Sequence, residues 1–168
     1  MQDQLFAITG RPVKQRIGLN TGIATVGNFG SDKRFDYTMM GDTVNLASRL
    51  EGINKQFGTY TMCSKQTKLL AEEYDCNVAF RKIANIAVVG RNEPVVVYNP
   101  MAQDDYEGKK AVYADFDEAY KLFVAGKFAE AKVLFDQNTE DPVSEKYSEK
   151  CKGKKLATLF FEPSTRTR

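Results

Sequence analysis

Phe35-Asp36-Tyr37-Thr38-Met39-Met40-Gly41-Asp42-Thr43-Val44-Asn45-Leu46-Ala47-Ser48-Arg49-Leu50-Glu51 changes its period at Gly41. Ahead of the glycine, Phe35, Tyr37 and Met39 alternate with polar Asp36 and Thr38, the twofold repeat of a strand. Behind it, Val44, Ala47, Leu50 and then Ile53 recur at helical spacing, with Asp42 as the candidate N-cap. The stretch reads as strand, break and helix, the helix about three turns long. Asn45 and Arg49, four residues apart, stand one above the other on a helix face set off from that apolar stripe. They lie near a helix N-terminus, where backbone amides favour anions, so a phosphate site is chemically reasonable. Spacing alone also describes a solvated helix face, the commoner use of such a pair.

Outward from this stretch the chain remains mixed. Arg16–Asn20 and Ile23–Gly27 read as strand segments separated by a kink at Thr21-Gly22, and the turn-rich Asn28–Lys33 joins them to Arg34–Met39 as a hairpin. Ser64 can cap a second helix running through Leu69, Leu70 and Ala71. Val78–Val89 and Pro94–Tyr98 are rich in β-branched residues on either side of Gly90-Arg91-Asn92, which suggests a closing hairpin. The fold class is therefore α+β, an antiparallel sheet with helices, followed by a helical hairpin appendage. Residues 1–100 form the first domain in this reading, and the polar run at 101–114, with Asp104, Asp105 and Gly108, reads as a linker. Within 115–153, Phe116, Ala119, Tyr120 and Phe123 make one helical stripe and Phe128, Ala131, Leu134 and Phe135 another, broken at Gly126. That spacing resembles a single tetratricopeptide unit, which cannot bury its own face and is expected to pack on its neighbour. A polar helix over Pro142–Lys152 follows, then a basic tail, 154–168, with a short strand signal at Leu156–Phe161.

Composition excludes several function classes. The chain has 168 residues, 42% hydrophobic and 27% charged, enough for one core and near the globular average. Its 24 basic and 22 acidic side chains nearly cancel, so charge gives no reason to expect nucleic acid or an anionic membrane as partner. With no histidine, a serine-histidine triad and a histidine-ligated metal are excluded. Three scattered cysteines form neither a disulfide framework nor a Cys-x-x-Cys pair, which points to a reducing compartment. There is no charged-then-apolar leader and no apolar run of about 20 residues. The expected location is cytoplasmic, alone or as the cytoplasmic domain of a larger membrane receptor.

Arg16-Ile-Gly-Leu-Asn-Thr-Gly22 together with Phe35–Glu51 resembles the class III adenylate and guanylate cyclase catalytic domain, and Val88–Pro94 followed by Val97-Tyr98 resembles that family's closing hairpin. The resemblance covers about residues 10–100 and implies a partial ferredoxin-like cyclase fold, the C-terminal portion of the domain. It further implies a head-to-tail dimer, with a second copy or another cyclase domain, in which the two domains share each site. By the same resemblance Asn45 orients the ribose, Arg49 stabilises charge developing on the α-phosphate, and Thr38, with Met39 beside it, reads the purine. Threonine at that position resembles the bicarbonate-responsive subgroup and favours ATP, while a hydroxyl can also serve GTP. Cyclisation is an in-line attack of the ribose 3′-hydroxyl on the α-phosphorus with pyrophosphate leaving, a reaction limited by positioning and electrostatics.

The sequence departs from the family in two places. The aspartates that hold two Mg²⁺ or Mn²⁺ ions in that family belong to a half preceding Arg16, so no metal ligand is assigned and the chain alone is expected to be inactive. Val89 stands where a phosphate-gripping lysine is common, and Arg91, two residues on, is the candidate replacement. One alternative function follows, a degenerate cyclase-like module that regulates or dimerises without catalysis. Another comes from Lys154–Arg168, which resembles the carbamoyl-phosphate loop of aspartate carbamoyltransferases and would make Ser164, Thr165, Arg166 and Thr167 anion ligands. In that reading the chain is a cyclase fragment joined to such a loop.

Overall fold

The computed structural model describes residues 2–31, 34–74, 76–88 and 93–152. A short helix, α1 (Gln2–Thr9), precedes strand β1 (Ile17–Leu19). Strands β2 (Thr25–Ser31) and β3 (Arg34–Met40) follow, then helix α2 (Asp42–Phe57), strand β4 (Thr61–Ser64), helix α3 (Lys65–Glu73), and strands β5 (Val78–Ile86) and β6 (Val95–Ala102). Four helices complete the described chain: α4 (Gln103–Gly108), α5 (Lys110–Val124), α6 (Phe128–Gln137) and α7 (Pro142–Lys152).

The main sheet has the order β1-β4-β6-β5, parallel at β1/β4 and antiparallel elsewhere. A parallel pair needs a crossover, and α2 lies within the one that joins β1 to β4. The β2/β3 hairpin stands apart as a two-stranded ribbon. The strand-kink-strand reading of 16–27 is thereby sharpened, since Thr21-Gly22 separates strands belonging to two different sheets.

Three expectations are corrected. Leu46, Leu50, Ile53 and Phe57 form the buried stripe of α2, whereas Val44 and Ala47 are only half-buried, so the helix is rolled from the angle first read. The helix has 16 residues and begins with Gly41, not Asp42, at its cap. The linker expected at 101–114 is occupied by the end of β6, α4 and the first turn of α5. Asp104 and Asp105 sit in the first turn of α4, where acidic side chains complement the helix dipole.

Ser64 caps α3 as expected, its Oγ accepting from the Thr67 amide at 3.3 Å. The hydrophobic core is continuous from α2 and the sheet into the helical extension, joining Leu50, Ile83 and Val97 to Phe116, Phe123, Phe135 and Tyr147. The strand signal at Leu156–Phe161 falls outside the described residues.

Candidate nucleotide site

α2 carries Asn45 and Arg49, and three neighbouring segments hold it in place. At its start the amides of Val44 and Asn45 both donate to the Gly41 carbonyl at 3.1 Å. Asn20, just past β1, donates its amide to the Thr43 carbonyl at 3.0 Å and accepts from the Ser64 hydroxyl at 2.6 Å. One side chain thus ties the first turn of α2 to the cap of α3. Further along, Asn54 is fully buried and donates to the Ile17 and Leu50 carbonyls, each at 3.0 Å, while its Oδ1 accepts from Thr59 at 2.8 Å. A buried amide that finds all these partners fixes helix to strand, because leaving any of them unpaired would cost free energy.

Asn45 and Arg49 are both exposed, one turn apart. At about 100° per residue they fall together on one flank of the buried stripe, so one ligand can reach both. Thr38 and Met39 are exposed on β3, paired with Gly27 and Val26. Strand alternation puts their side chains on opposite faces of the ribbon. Only two residues, Met40 and Gly41, separate this pair from α2, which places ribbon and helix N-terminus in direct succession.

An open cleft of about 830 Å³ lies between the first turns of α2 and α3 and the start of β6, lined by Asn20, Thr21, Thr43, Ser64, Lys65 and Glu93 among others. Thr38, Asn45 and Arg49 are not in its lining. Arg91 and Val89 lie outside the described residues, as do Ser164, Thr165, Arg166 and Thr167. Among the described residues, no group of three or more acidic or cysteine side chains could hold a metal ion.

Asn20 and Asn54 were not singled out by sequence reasoning. The signal for Asn54 was present: an amide between Ile53 and Phe57 shares the angle of the core stripe, where a polar group needs partners.

Residues 2–99 match the family described as the adenylate and guanylate cyclase catalytic domain. The chain belongs to this family. Adenylate cyclase 1 of Rhizobium meliloti (strain 1021) is 40% identical over 85 residues, which cover 51% of this chain and 12% of that relative. The crystal structure of the adenylyl cyclase CyaB from P. aeruginosa is similar at 37% identity and a TM-score of 0.48, covering 59% of this chain and 48% of that one. The chain therefore spans well under two thirds of each of these cyclases. A stretch of 22 residues is 86% identical to the aspartate carbamoyltransferase catalytic subunit of Lachnoclostridium phytofermentans, covering 13% of this chain and 7% of that protein. That likeness is short and partial beside the cyclase match. Among the described residues, no helix of this cyclase chain is long and apolar enough to cross a membrane.

Proposed function

We propose that this chain provides the nucleotide-recognising half of a cyclase site whose complete form converts ATP to cyclic AMP and pyrophosphate. The observation that carries the reading is the exposed pair Asn45 and Arg49 on α2, one turn apart and directly after the ribbon bearing Thr38, in a chain of the cyclase family. The Asn45 amide, donor and acceptor at once, orients the ribose hydroxyls. Arg49 offers a planar, permanently charged fork to the α-phosphate oxygens as the O3′–phosphorus bond forms and the bond to the pyrophosphate oxygen breaks. The Thr38 hydroxyl faces the purine from one side of the ribbon, which leaves Met39 to contribute through its backbone.

Divalent metal chemistry is general in this family, and two such ions, Mg²⁺ or Mn²⁺, activate the hydroxyl and neutralise the triphosphate when bound. Among the described residues no group of three or more acidic or cysteine side chains is placed to hold a metal ion, and no residue of this chain is assigned to such a centre.

Exposed apolar residues support a second cyclase domain as partner. Ile23 is 95% exposed, and Val26, Tyr37 and Met39 on the ribbon are at least half exposed. An isolated two-stranded ribbon is marginal without a surface to rest on.

The test is an assay of the complete cyclase domain with ATP and, separately, GTP in the presence of Mn²⁺. Cyclic AMP release that disappears in Asn45→Ala supports the reading. A domain that neither binds nor turns over either nucleotide is instead the regulatory module that lacks catalysis.

A further inference from the structure

We infer that the helical extension α5–α7 is a brace that sets the position and roll of α2, with Tyr147 as its positioning residue for Asn45 and Arg49. The inference rests on the nucleotide-site reading above, but its contacts stand independently of it.

The brace grips the C-terminal end of α2. Phe57, the last residue of α2, lies 5.7 Å from Tyr147 between ring centroids. The Lys150 ammonium stands 4.4 Å above the centre of the same Phe57 ring. Gly58 closes α2 in the left-handed region at φ 67°, and a Cβ there would meet the Pro142 carbonyl oxygen at 3.0 Å. The first residue of α7 therefore backs directly onto the end of α2.

The brace is itself anchored. Tyr147 is 1% exposed and packs against Phe116, Tyr120, Phe123 and Phe135, with ring centroids 5.0–5.6 Å away. Its hydroxyl donates to the Ile83 carbonyl of β5 at 2.8 Å. Asp141 accepts two hydrogen bonds from the Arg81 guanidinium on β5, at 2.8 and 2.5 Å. The same carboxylate accepts from the amides of Val143 and Ser144 at 3.2 and 3.1 Å, so it caps α7 while fixing it to the sheet. Arg81 is held between the Tyr113 and Phe116 rings at 4.3 and 4.5 Å.

A helix rises about 1.5 Å per residue, so Arg49 is about 12 Å and Asn45 about 18 Å along the axis from Phe57. Over that span α2 behaves as a rod resting on Leu46, Leu50 and Ile53. A slide or roll imposed at Phe57 is delivered to the exposed pair, and small misplacements of reacting groups are costly.

The experiment compares wild type with Tyr147→Leu and the milder Lys150→Met, which removes the cation over Phe57 while keeping its length. Amide hydrogen exchange of α2 and calorimetry with a non-cyclisable ATP analogue are read well below the unfolding temperature. The expected result is faster exchange across Thr43–Arg49 with β2 and β3 unchanged, and affinity reduced by about tenfold, as for other coupled distant sites. Exchange across α2 that stays at the wild-type level in both variants, while thermal stability falls, overturns the inference and leaves a merely stabilising extension. Where Tyr147→Leu does not fold, Lys150→Met decides. If wild type binds no nucleotide, the cyclase reading fails, and the exchange arm still decides whether the brace controls α2.

Discussion

A Cβ built on Gly18 of β1 would stand 2.1 Å from the carbonyl oxygen of Ala47 and 2.4 Å from the amide nitrogen of Glu51, both on α2. Strand and helix backbones are in direct contact, and neither obstructing atom belongs to a side chain that could swing away. Because Ala47 and Glu51 flank Arg49 in sequence, Gly18 sets the height of the candidate site above the sheet.

Gly18→Ala is therefore expected to push α2 off β1, destabilising the fold by about 1–3 kcal/mol or more, the usual cost of overpacking. Gly52, inside α2, has nothing within 4 Å of an added Cβ. There the same substitution removes a helix-interior glycine and should stabilise by about 1 kcal/mol. Urea unfolding of both variants checks the pair, and equal effects of the same sign would contradict the geometry.

The contrast between these glycines shows what the sequence could and could not reveal. Gly18 reads as a strand glycine and Gly52 as a helix glycine, but that α2 lies directly against the first and open space against the second is visible only in the fold. Local signals were legible: Pro142 at the first position of α7 and Ser64 at the cap of α3 mark helix starts by chemistry contained within one turn. The apolar stripe of α2 starts at Val44 by sequence and at Leu46 in the fold, because short windows tolerate a shifted stripe. Residues 101–114 looked like a linker because their acids suit a helix start as well as a loop. Asn20 escaped because its partners Thr43 and Ser64 are 23 and 44 residues away, and the bond by which Asn54 reaches β1, to the Ile17 carbonyl, spans 37. The Asn45 and Arg49 assignment came from family resemblance, and the structure contributes their exposure and shared flank.

The Arg81–Asp141 pair makes attachment of the helical extension sensitive to acid. Burial by itself pushes the Asp141 carboxyl up, but the Arg81 guanidinium and the hydrogen bonds from Ser144 and Val143 outweigh it and hold the group below its ordinary value. For a depressed carboxylate, the stability is fully present above the unfolded value of about 3.9 and is lost as pH falls through the folded value. Asp141→Ala, which leaves Arg81 charged and buried, is expected to cost about 3–5 kcal/mol at pH 7. Denaturant titrations at several pH values should show the difference from wild type shrinking below the ordinary carboxylate range, and a penalty constant down to pH 2 would refute the pairing argument.

Thiol chemistry reports on the sheet. Burial pushes the Cys63 thiol up to about 12, only partly offset by Lys68, and the side chain is fully covered. Cys76 is exposed. Since the thiolate is the reactive form, iodoacetamide at pH 8 should modify Cys76 while sparing Cys63 until denaturant is added. Peptide mapping of the labelled protein reads this directly, and early labelling of Cys63 would mean that β4 is not covered as described.

Arg49 tests the chemistry itself, because charge and shape can be separated there. Arg49→Ala in the complete cyclase domain removes both, and loss of one transition-state donor typically lowers the rate by about 100-fold to 1000-fold. Arg49→Lys keeps the charge but replaces the planar fork with a single ammonium that cannot bond two phosphate oxygens side by side. If Arg49 acts on the α-phosphate as it gains charge, lysine should restore only part of the lost kcat, with KM close to the wild-type value. If it serves only to attract the nucleotide, lysine should restore both parameters, since simple attraction depends on charge and little on geometry. Steady-state kinetics of the two variants distinguish the roles, and full recovery in Arg49→Lys would remove the residue from the transition state.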